Sequence, residues 1–270
     1  RCLLPHPGRL RGVATLLRLY QRSGVQGALQ RAGLLRALGL ADVDALLPPL
    51  PSRGFVSRGQ TCAAQVLRQA QDERPAVGIR VAFFSGCVMS LFYGPVHEAT
   101  LRVLARNGCE VVVPAAQACC GALHVHGGER QIARELAKRN IAAFEAAGAD
   151  WVVVNSAGCG AQLREYAELF EREPAWKARA ERFSASVRDV TELLASLPFE
   201  RGLGTLPLRV TYQDPCHLAH AQRISDAPRR LLQAIPGLTL VEMEHPDVCC
   251  GAAGSYGLTE KDMSRRLLER

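Results

Sequence analysis

The 270-residue sequence contains no C-x-x-C pair, although it has ten cysteines. Paired knuckles of that kind are the usual signature of structural zinc, so their absence argues against a zinc finger or ribbon. Lysine is nearly missing too, with only Lys138, Lys177 and Lys261. No stretch approaches the roughly 18 uninterrupted apolar residues that a membrane-spanning helix needs. There is no strand-linked G-x-G-x-x-G and no phosphate-cradling loop, which excludes a nucleotide or flavin site of those types on this chain. No basic n-region precedes a compact apolar segment, so no secretory signal is read. Ten cysteines outside a secretory context point to a reducing compartment, where thiols are free to act as ligands. The chain opens on Arg1 and closes on Arg270 within a helical pattern, and it reads as part of a longer polypeptide.

A hydrophobic content of 48% with 22% charged residues describes a folded globular chain. The net charge of +7 is unevenly spread. Residues 1–80 hold twelve arginines against Asp42, Asp44, Asp72 and Glu73, a net of +8, whereas the remaining 21 basic and 22 acidic residues leave the cysteine-bearing part at −1. Aromatics are few near the basic stretch and no nucleic-acid motif is present, so nucleic acid is not an expected partner. From Leu10 to Leu47, leucines recur at helical spacing among arginines, and Gly24 and Gly27 are expected to break the run into two helices. Such a basic amphipathic pair suits an anionic membrane surface or an acidic partner, and equally a hairpin packed on its own protein. Pro48, Pro49 and Pro51 end it, and Ser52 to Thr61 reads as a linker.

The cysteines that are present recur in a pattern. Cys119-Cys120-Gly121 follows Cys87 by 32 positions, and Cys249-Cys250-Gly251 follows Cys216 by 33, which indicates a duplicated cysteine site. Adjacent cysteines make a poor mutual disulfide but readily serve a soft metal or an iron-sulfur cluster. Around them strands and helices alternate: strands Ile79 to Phe84, Glu110 to Val113 and Trp151 to Asn155, with helices near 94–107 and 129–147. A third loop carries Cys159. The second copy repeats the order, with strands Leu208 to Gln213 and Leu238 to Met243, a helix at 227–234 and another from Thr259. This alternation predicts an α/β fold with parallel sheets, the cysteines lying past the carboxyl ends of strands, where open sheets bind ligands.

The expected organisation is therefore an arginine-rich helical segment and linker (1–77), a first cysteine-rich subdomain (78–172), a connector (173–207) and a second subdomain (208–270). Gly121 and Gly251 are expected to let the backbone pass close to a cluster without a side chain in the way. Cys2, Cys62 and Cys109 fall outside the repeat and read as ordinary apolar cysteines, Cys109 opening the second strand. His124, His126 and His217 lie beside the cysteines, where a histidine can ligate a cluster, tune it by a hydrogen bond or relay protons; each reads as a neighbour of the site or an exposed residue rather than a ligand, and His6, His97, His220 and His245 carry no assignment.

The segments Ser85-Gly86-Cys87-Val88-Met89, Ala118-Cys119-Cys120-Gly121-Ala122-Leu123-His124, Asn155-Ser156-Ala157-Gly158-Cys159-Gly160, Tyr212-Gln213-Asp214-Pro215-Cys216-His217-Leu218 and Val248-Cys249-Cys250-Gly251-Ala252-Ala253-Gly254 resemble the cysteine-rich CCG domain family, and within it the iron-sulfur subunits of bacterial glycolate oxidases. The resemblance implies an electron-transfer subunit whose Cys87, Cys119, Cys120, Cys159, Cys216, Cys249 and Cys250 hold iron-sulfur clusters of the 4Fe-4S type. It implies FAD only in a separate flavin-containing subunit that oxidises glycolate, a quinone as acceptor, and a cytoplasmic location, peripheral to the inner membrane face. The full family motif has C-x-x-C at the third position, where this chain has Ser156-Ala157-Gly158-Cys159. Two other readings remain open here: a catalytic reductase subunit like those of heterodisulfide reductases, and a metal-free partner-binding scaffold.

Overall fold

The computed structural model describes residues 6–45, 47–51, 78–198, 203–252, 254 and 256–269. Cys2, Cys62 and the linker read at Ser52 to Thr61 lie outside them.

Four strands form a parallel sheet: β1 (Arg80–Phe84), β2 (Glu110–Val112), β3 (Trp151–Val154) and β4 (Val187–Asp189), in the order β2-β1-β3-β4. Every residue of β1 from Val81 on is buried. Because side chains alternate across a strand, Ala82 and Phe84 join Val152 and Val154 on one face while Val81 and Phe83 join Val111 and Val153 on the other. The first face is covered by the helices Arg130–Ala147 and Pro174–Ser186, which contribute Leu136, Ile141, Phe144 and Phe183, together with Leu163, Tyr166 and Phe170. Leu101 and Leu104 from the helix Gly94–Arg106, with Leu193 and Leu194 from the helix Val190–Ser196, cover the second. A sheet clad on both faces needs central strands that are apolar throughout, and that is the composition of β1 from Val81 on and of β3.

The strand order reverses between β1 and β3, and the crevice at such a switch point, beyond the carboxyl ends of the strands, is where open α/β sheets place their ligands. Cys87 follows β1 and Cys159 follows β3. The connecting segment read at 173–207 contains two helices, as expected, and also β4, which pairs with β3 through Val152↔Val187 and Val154↔Asp189. Three residues are too few to show an alternating pattern.

The second copy builds a smaller parallel pair, β5 (Arg209–Val210) with β6 (Thr239–Leu240). Both strands are shorter than the six-residue runs the sequence suggests. Arg229 of the helix Asp226–Gln233 fastens this copy, donating to both carboxylate oxygens of buried Asp214 at 2.8 and 3.0 Å and to Glu242 at 2.9 Å.

Among the described residues of the N-terminal segment there are four helices, Pro7–Arg22, Val25–Arg31, Leu34–Ala37 and Ala41–Ala45, where two were expected between Leu10 and Leu47. Gly24 does break the first run, adopting a left-handed φ of 79° as the second helix begins, but Gly27 lies inside that helix. Asp44 ties them together, accepting from Tyr20 at 2.8 Å, Gln26 at 3.1 Å and Gln30 at 2.7 Å, and the Gln30 bond in particular holds its carboxyl below the ordinary range.

Two outcomes follow from this packing. Gly121 (φ 89°) and Gly251 (φ 74°) both need the left-handed region, so alanine costs each about 1–2 kcal/mol in backbone strain. A Cβ at Gly121 would meet Ala133 at an ordinary 3.4 Å, whereas at Gly251 it would lie 2.6 Å from the Ser264 carbonyl oxygen. Gly251→Ala is therefore expected to lower the urea midpoint of its half more than Gly121→Ala, as read by hydrogen exchange across residues 209–268. The second outcome concerns His97, which is wholly buried and whose pKa burial lowers to about 4. Its neutral form is favoured in the fold, so its contribution is intact above the unfolded value near 6.5 and is lost as pH falls from there through about 4. The difference corresponds to about 3 kcal/mol. Urea midpoints measured from pH 7 to pH 4 should fall less steeply in His97→Gln than in the parent.

Candidate metal centre

Four of the predicted cysteines meet at the switch point. Cys87 precedes the short helix Val88–Phe92, Cys119 and Cys120 lie in the loop after β2, and Cys159 sits in the first turn of the helix Ala157–Arg164. The Cys87 and Cys119 sulfurs are 3.4 Å apart, and Cys120 hydrogen-bonds through its thiol to both Cys119 and Cys159. Cys119 and Cys120 are buried, Cys87 and Cys159 partly so. A Cβ on Gly86 would touch the Cys159 sulfur at 3.8 Å, so that glycine borders the thiols directly.

The four thiols share protons unequally. Hydrogen bonds from Cys120 and then Cys87, aided by the Gly121 N–H and the nearby His124, lower the Cys119 pKa to about 3 against the cost of burial. Cys159 is also lowered, by Cys120 first and then by the Ser156 hydroxyl. Cys87 and Cys120 are pushed up because they donate to those thiolates and are buried beside them. The ionised form is thus favoured at Cys119 and Cys159 and disfavoured at Cys87 and Cys120, and ionising all four calls for a compensating positive charge. An all-sulfur donor set of this kind suits a soft metal or an iron-sulfur cluster. Among the described residues no three His, Cys, Asp or Glu side chains converge as ligands of one metal ion.

Buried polar side chains that the sequence did not single out hold the loops. Asn140 accepts from the Ala118 N–H at 2.7 Å and donates to the Cys119 carbonyl at 3.0 Å and to the Tyr166 hydroxyl at 2.8 Å. Tyr166 in turn donates to the Cys120 carbonyl at 2.9 Å. Gln117 accepts from the Ser85 N–H at 2.8 Å and donates to the Phe83 and Pro114 carbonyls at 3.2 and 3.0 Å, joining the end of β1 to the dicysteine loop. On the other face, His97 Nε2 lies 2.8 Å from the Ser85 carbonyl and Nδ1 lies 3.1 Å from Asn155 Nδ2. A neutral ring protonated on Nε2 satisfies both contacts. His97, unassigned from sequence, is thus a support of the Cys87 loop. Its signal is an apolar helical neighbourhood that leaves no solvent for the ring. His124 is buried with its Nδ1 unpartnered among the described residues.

The other predicted positions divide as follows. Cys109 is buried just before β2, its thiol pushed up to about 11 by burial, as an apolar cysteine would be. In the second copy Cys216 and Cys250 are half-buried and Cys249 is exposed. The Gly251 N–H donates to the Cys249 sulfur at 3.4 Å, matching Gly121 to Cys119 at 3.5 Å. Both Cys-Cys-Gly turns therefore point the glycine amide at the first sulfur. The missing Cβ of each glycine faces a helix, Ala133 in one copy and Ser264 in the other.

Comparison with known proteins matches these units. A family model described as "Cysteine-rich domain" covers residues 81–164 and 210–270, and one described as "Glycolate oxidase iron-sulfur subunit, linker region" covers residues 1–47. The chain is 42% identical to a "Probable glycolate oxidase iron-sulfur subunit" of Bacillus subtilis (strain 168), over 99% of this chain and 59% of that protein. It is 35% identical to "Lactate utilization protein A" of Geobacillus kaustophilus, over 71% of this chain and 80% of that one. One of the subunits of a fumarate reductase (CoM/CoB) from Methanothermobacter marburgensis is 38% identical over 70% of this chain and 36% of its own. The duplicated Cys-Cys-Gly turns, the parallel sheet that gathers their sulfurs and these matches agree: the chain belongs to the cysteine-rich CCG domain family.

Proposed function

We propose that this chain is the iron-sulfur electron-transfer subunit of a complex that oxidises a 2-hydroxy acid, with glycolate as its substrate. The observation that carries the reading is the chain of pairwise contacts that links four thiols, from three loops separated in sequence, at the switch point of a parallel sheet. Relatives named as a glycolate oxidase iron-sulfur subunit and as a lactate utilization protein support the substrate class.

In this reading Cys87, Cys119, Cys120 and Cys159 hold one 4Fe-4S cluster, and Cys216, Cys249 and Cys250 contribute to a second site. A bound cluster supplies reversible one-electron chemistry. The chain's own residues do the rest. Gly121 and Gly251 turn their amides toward the first sulfur of each pair, and a hydrogen bond to a thiolate stabilises its charge and raises the potential of what it binds. The Ser156 hydroxyl does the same at Cys159. Asn140, Tyr166 and Gln117 fix the loop backbone, so the sulfurs keep their spacing as charge changes.

Substrate oxidation belongs to a flavin-containing partner subunit, and the acceptor is a quinone reached from the cytoplasmic face of the membrane. No described helix is long and apolar enough to cross a membrane. The N-terminal helices expose Leu16, Leu19, Leu34 and Leu38 among arginines, a surface suited to docking.

Anaerobic iron and sulfide analysis tests the assignment. The parent should carry stoichiometric iron and sulfide with a cluster signal in electron paramagnetic resonance. Cys120→Ser should lose most of the iron of the first site, and iron-free parent protein would refute the reading. Asn140→Ala keeps all the cysteines but leaves the Ala118 amide and the Cys119 carbonyl without their partner. It should cost about 2 kcal/mol of stability and weaken cluster retention roughly 10–100-fold, read as the rate of iron release to a chelator.

A further inference from the structure

The two copies meet through residues that adjoin their cysteines. His217, which directly follows Cys216, lays its ring parallel to that of His126, with centroids 6.2 Å apart and planes within 14°. Its Nδ1 also lies 3.8 Å from the Cβ position of Gly158, next to Cys159. Further along the same turn (His217–Ala221), Gln222 donates to the Ala157 carbonyl at 2.9 Å. Gln222 packs so closely that a Cβ on Gly160 would lie 2.8 Å from its amide. Beyond the second Cys-Cys-Gly, the Cβ position of Gly254 reaches Leu123 at 3.3 Å and His126 Nδ1 at 3.7 Å, both in the helix that follows the first Cys-Cys-Gly.

The turn after Cys216 and the segment after Cys249-Cys250-Gly251 are therefore held against the Cys159 helix and the helix that follows Cys119-Cys120-Gly121. The contact residues gain nothing for the core of either copy, because the two hydrophobic clusters lie on the faces of the first sheet. We propose that the His126–His217 pair, with Gln222 seated on Gly160, is a junction that fixes the Cys216 turn of the second copy against the Cys159 helix of the first, and so would couple clusters held by the two copies as consecutive stations for electrons. The coupling rests on the iron-sulfur reading above, whereas the junction itself does not. In the transfer, one electron leaves the reduced site and arrives at the oxidised one, no bond is formed or broken, and no proton need move. His126 and His217 act as positioning residues.

The full-length protein, purified anaerobically and reduced with dithionite, tests both parts. With both sites reduced, the parent should show a spin–spin-broadened resonance, which His217→Ala should convert to the sum of two isolated signals at unchanged iron content. Hydrogen exchange of residues 156–161 in metal-depleted protein should quicken at least tenfold in the same variant. His126→Ala removes the ring partner without touching the turn beside Cys216 and should give the same spectrum, while His126→Phe, which keeps a stacked ring, should restore the broadening. Parent-like spectra and exchange in both alanine variants would overturn the proposal. Loss of iron from His217→Ala alone, with His126→Ala unchanged, would make His217 a ligand-side residue and overturn the junction. An iron-free parent would remove the electron-transfer reading and the coupling with it, and the exchange experiment would still decide whether the junction exists.

Discussion

A turn with two successive cysteines buries backbone polar groups that its own geometry cannot satisfy, and the structure depends on how those groups are answered. Ala118 N–H, the Cys119 carbonyl and the Cys120 carbonyl all point into the protein, away from water. Asn140 meets the first two and Tyr166 the third, and the two side chains are bonded to each other. Each unpaired group would cost about 1–3 kcal/mol, so the pair is worth more than its count of bonds. Because Asn140 lies on the long helix and Tyr166 in the turn Tyr166–Phe170, the network also ties both elements to the loop at the sheet's edge. Sheet, helix and sulfurs are thereby fixed by the same contacts.

The two copies have diverged in how much of this they keep. In the first, four strands are clad on both faces and the thiols are buried enough to perturb one another strongly. In the second, the strands shrink to two residues each, Cys249 is exposed, and an ion-paired arginine takes over the role that the amide network plays in the first. Arg229 can do so because Asp214 lies just ahead of Cys216 and is buried, so its charge needs a partner close by. What both retain is the amide-to-sulfur contact of the Cys-Cys-Gly turn, and the left-handed glycine serves that geometry first. From sequence alone these glycines are explained by closeness to a cluster. The structure adds that each also admits a helix where a side chain would stand.

The alternation of strands and helices was legible because apolar runs such as Trp151-Val152-Val153-Val154 have strand length and the helices between them have clear periodicity. The cysteine loops were legible from their repeated spacing. β4 escaped notice because three residues, Val187 to Asp189, carry no period, and their pairing with β3 is decided by tertiary contact. The N-terminal helices were undercounted for a related reason: Gly33 and Gly39 punctuate a leucine pattern that periodicity alone joins together. Asn140, Gln117 and Tyr166 left no local signal, and His97 only the apolar helix around it. A polar residue of this kind looks like noise until the backbone groups it serves, some 12 to 46 positions away, are placed beside it.

Ser156 shows how a departure from the family pattern can be read through physics. A cysteine at that position would put a fifth sulfur beside four that already share their protons unevenly, and burial would tend to keep it neutral. A serine hydroxyl never competes for the charge. It donates to Cys159 and lowers that thiol's pKa, alongside the larger contribution from Cys120. The thiolate at Cys159 is thus favoured by two donors, much as Cys119 is by Cys120, Cys87 and the Gly121 amide. Two sulfurs poised as anions, each next to a neutral thiol, give an incoming metal core two ligands at once and two more on release of their protons. On that argument the serine adds a hydrogen-bond donor at Cys159 without adding a fifth group to the proton sharing among the four thiols.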